Sequence, residues 1–219
     1  MQVFSFVSAY CTKTIVAGIS SCDTSSCCEW ARRWENLGAK SLLVATPYFV
    51  GCNNYGLLKH FEKLSKSTKL PIILYNVPRR TGFDVDVDTV VKLGDVCNLL
   101  GVKECNDNEE KLQNYRLNNV KIFCGNDSSI SKFEQYGFRD SISVVSNLCP
   151  NLTTSGKDDN TMRQLAYLCG KSNPSVIKYA LYCVGAISSC DVRLPLTTPS
   201  RLTKKAVRKL INKNWEHLA

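Results

Sequence analysis

Two strand-like runs end on side chains that could work as a pair. The run PIILY ends on Tyr75 and leads into NVPRRTG, and the run LLGVK ends on Lys103 and leads into Glu104. In parallel α/β folds, ligands bind beyond the carboxyl ends of the strands. A lysine held there by an apolar strand is desolvated, which disfavours its ammonium form. The neutral amine can then attack a carbonyl carbon and form an imine. The plainer alternative is that Lys103 is the first polar residue of a loop, and that Tyr75 is a packing residue whose hydroxyl makes one hydrogen bond.

Other chemistries find few residues to use. His60 sits in the helical pattern LLKHFEKL and His217 lies close to the last residue, Ala219. With only these two histidines, a histidine-based triad or multi-histidine metal site is not expected. Twelve cysteines are present, but Cys22, Cys27 and Cys28 give C-x4-CC, and no C-x2-C pair occurs. That spacing fits no zinc pattern. The others stand singly in apolar stretches, such as Cys124 in KIFCG and Cys183 in ALYCVGA, where free thiols behave as small hydrophobes. No metal and no cofactor is expected.

The elements that would position Tyr75 and Lys103 follow from hydrophobic patterning. Short apolar, β-branched runs cover Thr14–Ile19, Ser41–Thr46, Pro71–Val77, Asn98–Lys103, Val120–Gly125 and Ser141–Ser146. The first five are each followed by a segment with helical spacing: Thr24–Leu37, Tyr55–Ser67, Val85–Leu93, Asn108–Tyr115 and Ser128–Tyr136. The first of these helices begins DTSS, a cluster of capping residues, and carries Trp30, Ala31 and Trp34 on one face. Strand then helix, at roughly 30 residues per unit, predicts a parallel sheet covered by helices. After residue 146 the pattern is helical only, over Thr161–Cys169, Ser175–Ile187 and Ser200–Asn212, with Thr153–Asn160 read as a loop. Six strands would complete a doubly wound sheet, whereas a TIM barrel needs eight. No G-x-G-x-x-G or Walker motif supports a nucleotide-binding sheet, and the pattern alone leaves both arrangements open.

Composition bounds the partners. The 219 residues carry 28 Lys+Arg against 19 Asp+Glu, a net charge of +9. Such an excess can indicate a polyanion partner. Here the cations are scattered except between Arg201 and Lys213, where Leu202, Ala206 and Leu210 recur every four residues between lysines and arginines. That is an amphipathic helix with a solvated basic face, so neither nucleic acid nor membrane is expected as a partner. No apolar run reaches the ~18 residues of a membrane span. The start MQVFSFVSAYCTK has no basic region before its apolar stretch and no small-residue cleavage site, which points to a cytoplasmic protein.

Several strings stand in an order that resembles a known family. They are TPYF (Thr46–Phe49), YNVPRRTG (Tyr75–Gly82), GVKE (Gly101–Glu104), CGND (Cys124–Asp127), ISVVSN (Ile142–Asn147) and RLPLTTPS (Arg193–Ser200). Singly each is weak, but in order they resemble the class I aldolase family of dihydrodipicolinate synthase and N-acetylneuraminate lyase. The resemblance implies a TIM (β/α)8-type barrel, here incomplete with six recognisable strands, over residues 1–152, and a C-terminal helical region over 153–219. It implies that Lys103 forms a Schiff base with pyruvate and that Tyr75 beside it shuttles protons. It implies that Arg80 holds the carboxylate of aspartate semialdehyde, that Ile142 and the adjacent backbone line the pyruvate pocket, and that position 49 reaches a neighbouring subunit of a homo-oligomer, a dimer or tetramer. N-acetylneuraminate lyases usually lack the arginine, so Arg80 favours the synthase.

The chain also departs from that pattern. The family has two further βα units before Thr14, about 60 residues at roughly 30 each. The second carries a G-T-T-G-E loop, and no such string occurs here. Phe49 stands where the family has a tyrosine, and phenylalanine has no hydroxyl to carry a proton. Cys22 and Ser26 stand where regulated members grip the effector lysine with an Asn and a Glu. Neither residue can pair an ammonium group as a carboxylate does, so lysine inhibition is not expected, although Tyr48 of that site is retained. The span from Asn147 to Pro174 is also short for the family. The leading expectation is a synthase condensing pyruvate with aspartate semialdehyde, slowed by these departures. The alternatives are a sister aldolase acting on a sialic acid or keto-deoxy sugar acid, and a non-catalytic relative.

Overall fold

Each apolar run folds as a strand and each amphipathic run after it as a helix, in a computed structural model that describes residues 2–150 and 160–218, with side chains to 212. The loop read at Thr153–Asn160 lies almost wholly outside the described residues, as does the side chain of His217. Six strands are ordered β1-β2-β3-β4-β5-β6 in one sheet. They are β1 (Val16–Ile19), β2 (Ser41–Ala45), β3 (Ile72–Asn76), β4 (Leu99–Glu104), β5 (Ile122–Cys124) and β6 (Asp140–Ser141). The first three pairings are parallel. Sequential order with a helix between strands is the arrangement of a TIM-barrel-like α/β fold, not of a doubly wound sheet, whose strand order reverses.

The chain divides into two compact units. The first comprises Met1–Phe123 with Tyr136–Asp140, and the second Cys124–Gln135 with Ser141–Ala219. In the first unit, α1 (Gln2–Tyr10), α2 (Thr24–Asn36), α3 (Asn54–Ser65), α4 (Pro78–Thr81), α5 (Val87–Val96) and α6 (Glu109–Leu117) accompany the strands. Helices α2, α3, α5 and α6 start on capping side chains. Asp23, Asn53, Asp86 and Asn108 accept the backbone N–H of Ser26, Gly56, Thr89 and Lys111, which satisfies a donor the helix itself cannot.

Register decides which side chains share a face. Because parallel neighbours in register point the same way and successive residues alternate, Leu42, Val44, Ile72, Leu74 and Val102 form one face. All five are fully buried. Leu57, Phe61 and Leu64 of α3 and Leu93 of α5 are fully buried as well. On the other face stand Leu43, Ala45, Ile73, Tyr75, Gly101 and Lys103. A β-bulge at Leu100 lies between these rows: Ile72 pairs with Leu99 and Ile73 with Gly101. A Cβ on Gly101 would stand 2.6 Å from the carbonyl oxygen of Lys121, so only glycine lets β4 approach β5 this closely.

The second unit holds α7 (Ile130–Gln135), α8 (Asn160–Lys171), α9 (Ser175–Cys183) and α10 (Arg201–Leu218). Its core joins Val145, Leu148, Leu165, Cys169, Val176, Ile177, Val207 and Ile211.

Four expectations need correction. Residues 2–10, given no structure by the pattern, form α1, whose Phe4 is buried against Trp34 with ring centroids 5.2 Å apart. The strand expected over Ser141–Ser146 ends at Ser141, because the carboxylate of Asp127 accepts the N–H groups of Val144 and Val145 at 3.0 and 3.2 Å and turns the chain into a 3-10 turn. On α2 the buried stripe is Cys27, Cys28 and Ala31, with Trp30 at its exposed rim. On α10 the buried pair is Val207 and Ile211, while Leu202 is 81% exposed. Both i, i+4 rows were available, and the face used lies one position on from the row with the plainest leucines.

Candidate active site

The ends of β3 and β4 bring two pairs together, one on each face of the sheet. Tyr75 lies beside Lys103 and Asn76 beside Glu104, in register.

On the first face the Lys103 nitrogen lies 4.3 Å from the centre of the Tyr75 ring. Lys103 is only 8% exposed. The nitrogen therefore stands against the aromatic face, largely withdrawn from water. The Tyr75 hydroxyl is pushed up to about 12 by burial and, secondly, by Cys105, against the opposing pull of Arg80. The phenol therefore stays protonated at neutral pH and can give a proton. Arg80 lies on α4, which starts at Pro78 and ends where Gly82 takes a left-handed conformation, φ 74°, and closes the turn with an N–H bond to the Pro78 carbonyl at 2.8 Å. The Arg80 side chain is exposed to solvent, within electrostatic reach of both Tyr75 and Cys105.

On the opposite face lies a buried polar network that patterning did not reveal. Glu104 is fully buried. It accepts hydrogen bonds from Asn76 Nδ2 at 2.9 Å, from the Asn106 N–H at 2.7 Å and from the Tyr115 hydroxyl at 2.9 Å, with the Lys111 ammonium 3.4 Å away. Asp84 ties the same donors from outside, through Asn76 Nδ2 and Asn106 Nδ2 at 2.7 Å each and Lys111 at 2.5 Å. Burial pushes the Glu104 carboxyl up, against the pull of Lys111 and Asn76. Burial acts in the same direction on Asp84, but the hydrogen bonds from Asn76 and Lys111 win there and hold it below the usual range. A cleft of 460 Å³ is lined by Asp84, Asn106, Lys111 and Asn114 among others, and by neither Tyr75 nor Lys103. The network clamps the ends of β3 and β4 to α6. It holds Glu104, next in the chain to Lys103, from the far side of the strand.

Two further predicted positions belong to other parts of the chain. Phe49, between β2 and α3, has a positive φ of 70° and a side chain 97% exposed. A bulky non-glycine residue in that region is strained. Ile142 belongs to the second unit, where its N–H donates to the Cys124 carbonyl at 2.9 Å. Among the described residues, no helix is long and apolar enough to cross a membrane.

The Dihydrodipicolinate synthetase family model matches residues 3–214. A 4-hydroxy-tetrahydrodipicolinate synthase from Alkaliphilus oremlandii is 35% identical over 208 residues, which cover 87% of this chain and 71% of that protein. The one from Aliarcobacter butzleri is 35% identical over 217 residues, covering 91% and 73%. The structure of dihydrodipicolinate synthase from Thermotoga maritima is similar with a TM-score of 0.88 at 26% identity, over 97% of this chain and 79% of that one. The chloride-inhibited dihydrodipicolinate synthase from Acinetobacter baumannii, complexed with pyruvate, gives a TM-score of 0.88 at 28% identity, over 96% and 79%.

Proposed function

This chain belongs to the dihydrodipicolinate synthetase family, and from that premise we propose how its own residues carry the reaction. It is a lyase of the 4-hydroxy-tetrahydrodipicolinate synthase type, acting on pyruvate in lysine and diaminopimelate biosynthesis. The second substrate in this proposal is aspartate semialdehyde.

The Lys103 amine attacks the keto carbon of pyruvate, and loss of water leaves an iminium. The positive nitrogen then draws electrons from the methyl group, which gives up a proton to become an enamine. The enamine carbon bonds to the aldehyde carbon of the second substrate, whose oxygen takes a proton. The amino group of the second substrate then attacks the iminium carbon, which closes the ring and displaces the Lys103 amine. Tyr75 is the proton carrier of these steps, held protonated beside Lys103. Arg80, exposed at the mouth of the site, offers a planar guanidinium fork to the carboxylate of the incoming aldehyde.

Phe49 is the position that crosses to a neighbouring subunit of a homo-oligomer. Its strained backbone and fully exposed ring support this, since a single chain gains nothing from holding an aromatic side chain in water at a conformational cost. The place of work is the cytoplasm.

The observation that carries this reading is the in-register pair Tyr75–Lys103, with the amine 4.3 Å from the ring, inside the segment the family model covers. Borohydride reduction in the presence of pyruvate tests it, read by intact mass and peptide mapping. A stable pyruvate adduct on Lys103 is the expected outcome. An adduct elsewhere, or none from well-folded protein, refutes the assignment.

A further inference from the structure

The first turns of α10 carry Arg201, Lys204, Lys205, Arg208 and Lys209 with no acidic residue among them. Lys204 and Arg208 stand one turn apart on one row of the helix, where like charges repel. Both nonetheless reach the same aromatic side chain of α9. The Lys204 nitrogen lies 5.5 Å and the Arg208 guanidinium carbon 5.7 Å from the centre of the Tyr179 ring. Among the described residues neither cation is paired with a carboxylate, and Lys204 donates only weakly to the Thr198 hydroxyl, at 3.4 Å.

Tyr179 itself is 2% exposed, and its buried hydroxyl has no hydrogen-bond partner. Such a group has given up water and gained nothing in return. Cys183 and Arg208 are its electrostatic neighbours, but neither meets it in hydrogen-bonding geometry. Burial and then Cys183 push the ionisation of the phenol up, against the pull of Arg208, so it keeps its proton and can donate. A donor without an acceptor thus lies under two cations without a counter-ion.

We propose that Tyr179, Lys204 and Arg208 form a binding site for a phosphate-type oxyanion, built entirely within the second unit. The donor set selects the class. A guanidinium fork, an ammonium and a phenol hydroxyl on three separate side chains suit a tetrahedral oxyanion with several acceptor oxygens better than a planar carboxylate. Two positive charges also match a phosphate group near neutral pH. Access is by way of Arg208, whose flexible side chain is exposed, whereas Lys204 is half-buried. The anion joins α9 to α10 and so stabilises the folded unit.

The test titrates the whole chain with inorganic phosphate at constant ionic strength, with calorimetry for affinity and urea unfolding for stability. Phosphate at about ten times its dissociation constant is expected to raise the ratio of folded to unfolded wild type about elevenfold. Tyr179→Phe removes only the unpaired hydroxyl. Without phosphate this variant is expected to be at least as stable as the wild type. Its phosphate affinity is expected to fall about tenfold, as is that of Arg208→Gln. Borohydride trapping of pyruvate on Lys103 stays unchanged in both variants, and phosphate affinity stays unchanged in Arg80→Gln, which separates this site from the one above. Tighter binding of glycerol phosphate assigns the site to a phosphate ester, and equal or weaker binding assigns it to the free ion. Equal stabilisation of the wild type and both variants by phosphate would be a general effect of salt on a chain of charge +9 and would overturn the proposal. Absence of saturable binding to the wild type would overturn it too, as would a loss of stability in Tyr179→Phe without phosphate.

Discussion

Replacing Lys111 with methionine keeps most of the side-chain volume but takes the ammonium out of the network behind Lys103. Lys111 has a side chain 9% exposed and serves two carboxylates, the fully buried Glu104 at 3.4 Å and Asp84, which is 41% exposed, at 2.5 Å. The Asp84 contact counts for little in energy, because water screens a group so open. The cost lies with Glu104, which would remain buried with hydrogen bonds from Asn76, Asn106 and Tyr115 but no counter-charge. Breaking a buried pair on one side costs ~3–5 kcal/mol. The surviving hydrogen bonds place Lys111→Met near the lower end, about 3 kcal/mol at neutral pH. The pH dependence has a definite sign. Burial already sets the folded-state pKa of Glu104 above its unfolded value. Its contribution therefore favours folding below the unfolded value and is lost as pH rises through the folded one. Without Lys111 the folded value climbs further, so the penalty of the variant is greatest at neutral pH and shrinks as acid protonates Glu104. Urea unfolding at pH 7.5 and pH 5, wild type against variant, measures this. The double variant Glu104→Gln/Lys111→Met, with no buried charge, should be more stable at pH 7.5 than Lys111→Met alone, by about 1 kcal/mol or more. A penalty under about 1 kcal/mol at pH 7.5, or one that grows on acidification, would show that the Lys111–Glu104 pair does not work as argued.

Gly101→Ala forces a Cβ to within 2.6 Å of the Lys121 carbonyl and should cost at least about 2 kcal/mol in chemical denaturation, with Lys103 trapping reduced because β4 must back away from β5. Phe49→Tyr restores a hydroxyl at the exposed, strained position and should raise turnover about tenfold in a coupled assay, and no gain would count against a proton path through position 49. Free L-lysine at millimolar concentration should leave the rate unchanged, since Cys22 and Ser26 offer no carboxylate and the Ser26 N–H is already engaged by Asp23, so dose-dependent inhibition would contradict this reading of the site.

The placing of Tyr75 and Lys103 at strand ends was legible from two local rules, while their standing side by side came only with the family resemblance. Apolar β-branched runs become parallel strands, and the first polar residue at the carboxyl end of each lies where ligands bind. The network behind them was not legible, because it depends on register. Asn76, Asp84, Glu104 and Lys111 each look like a solvated loop or helix residue in sequence. Asn76, Glu104 and Lys111 become a buried cluster, with Asp84 at its open edge, only when β3 and β4 pair without offset beyond the bulge, so that Asn76 meets Glu104, and when α6 turns Lys111 and Tyr115 inward. An i, i+4 lysine–tyrosine pair flanking Leu112 on an otherwise polar helix was the one available hint. The early end of β6 was hidden because the valines of ISVVS favour a strand, and only the Asp127 carboxylate, capturing two amides, overrides them.

The bulge at Leu100 separates β4 into two stretches of independent phase. Upstream, Leu99 answers to Ile72, and downstream Gly101 to Glu104 answer to Ile73 to Asn76. A residue gained or lost in the connection before β4 can be absorbed at this point, by forming or erasing the extra step, without rotating Lys103 away from Tyr75. A residue gained or lost after Gly101 has no such buffer. It would exchange the two faces, turning the amine toward the side that Glu104 now occupies and the carboxylate of Glu104 toward the side of Tyr75. The interval from Gly101 to Lys103 is therefore the stretch of this chain where length matters as much as composition.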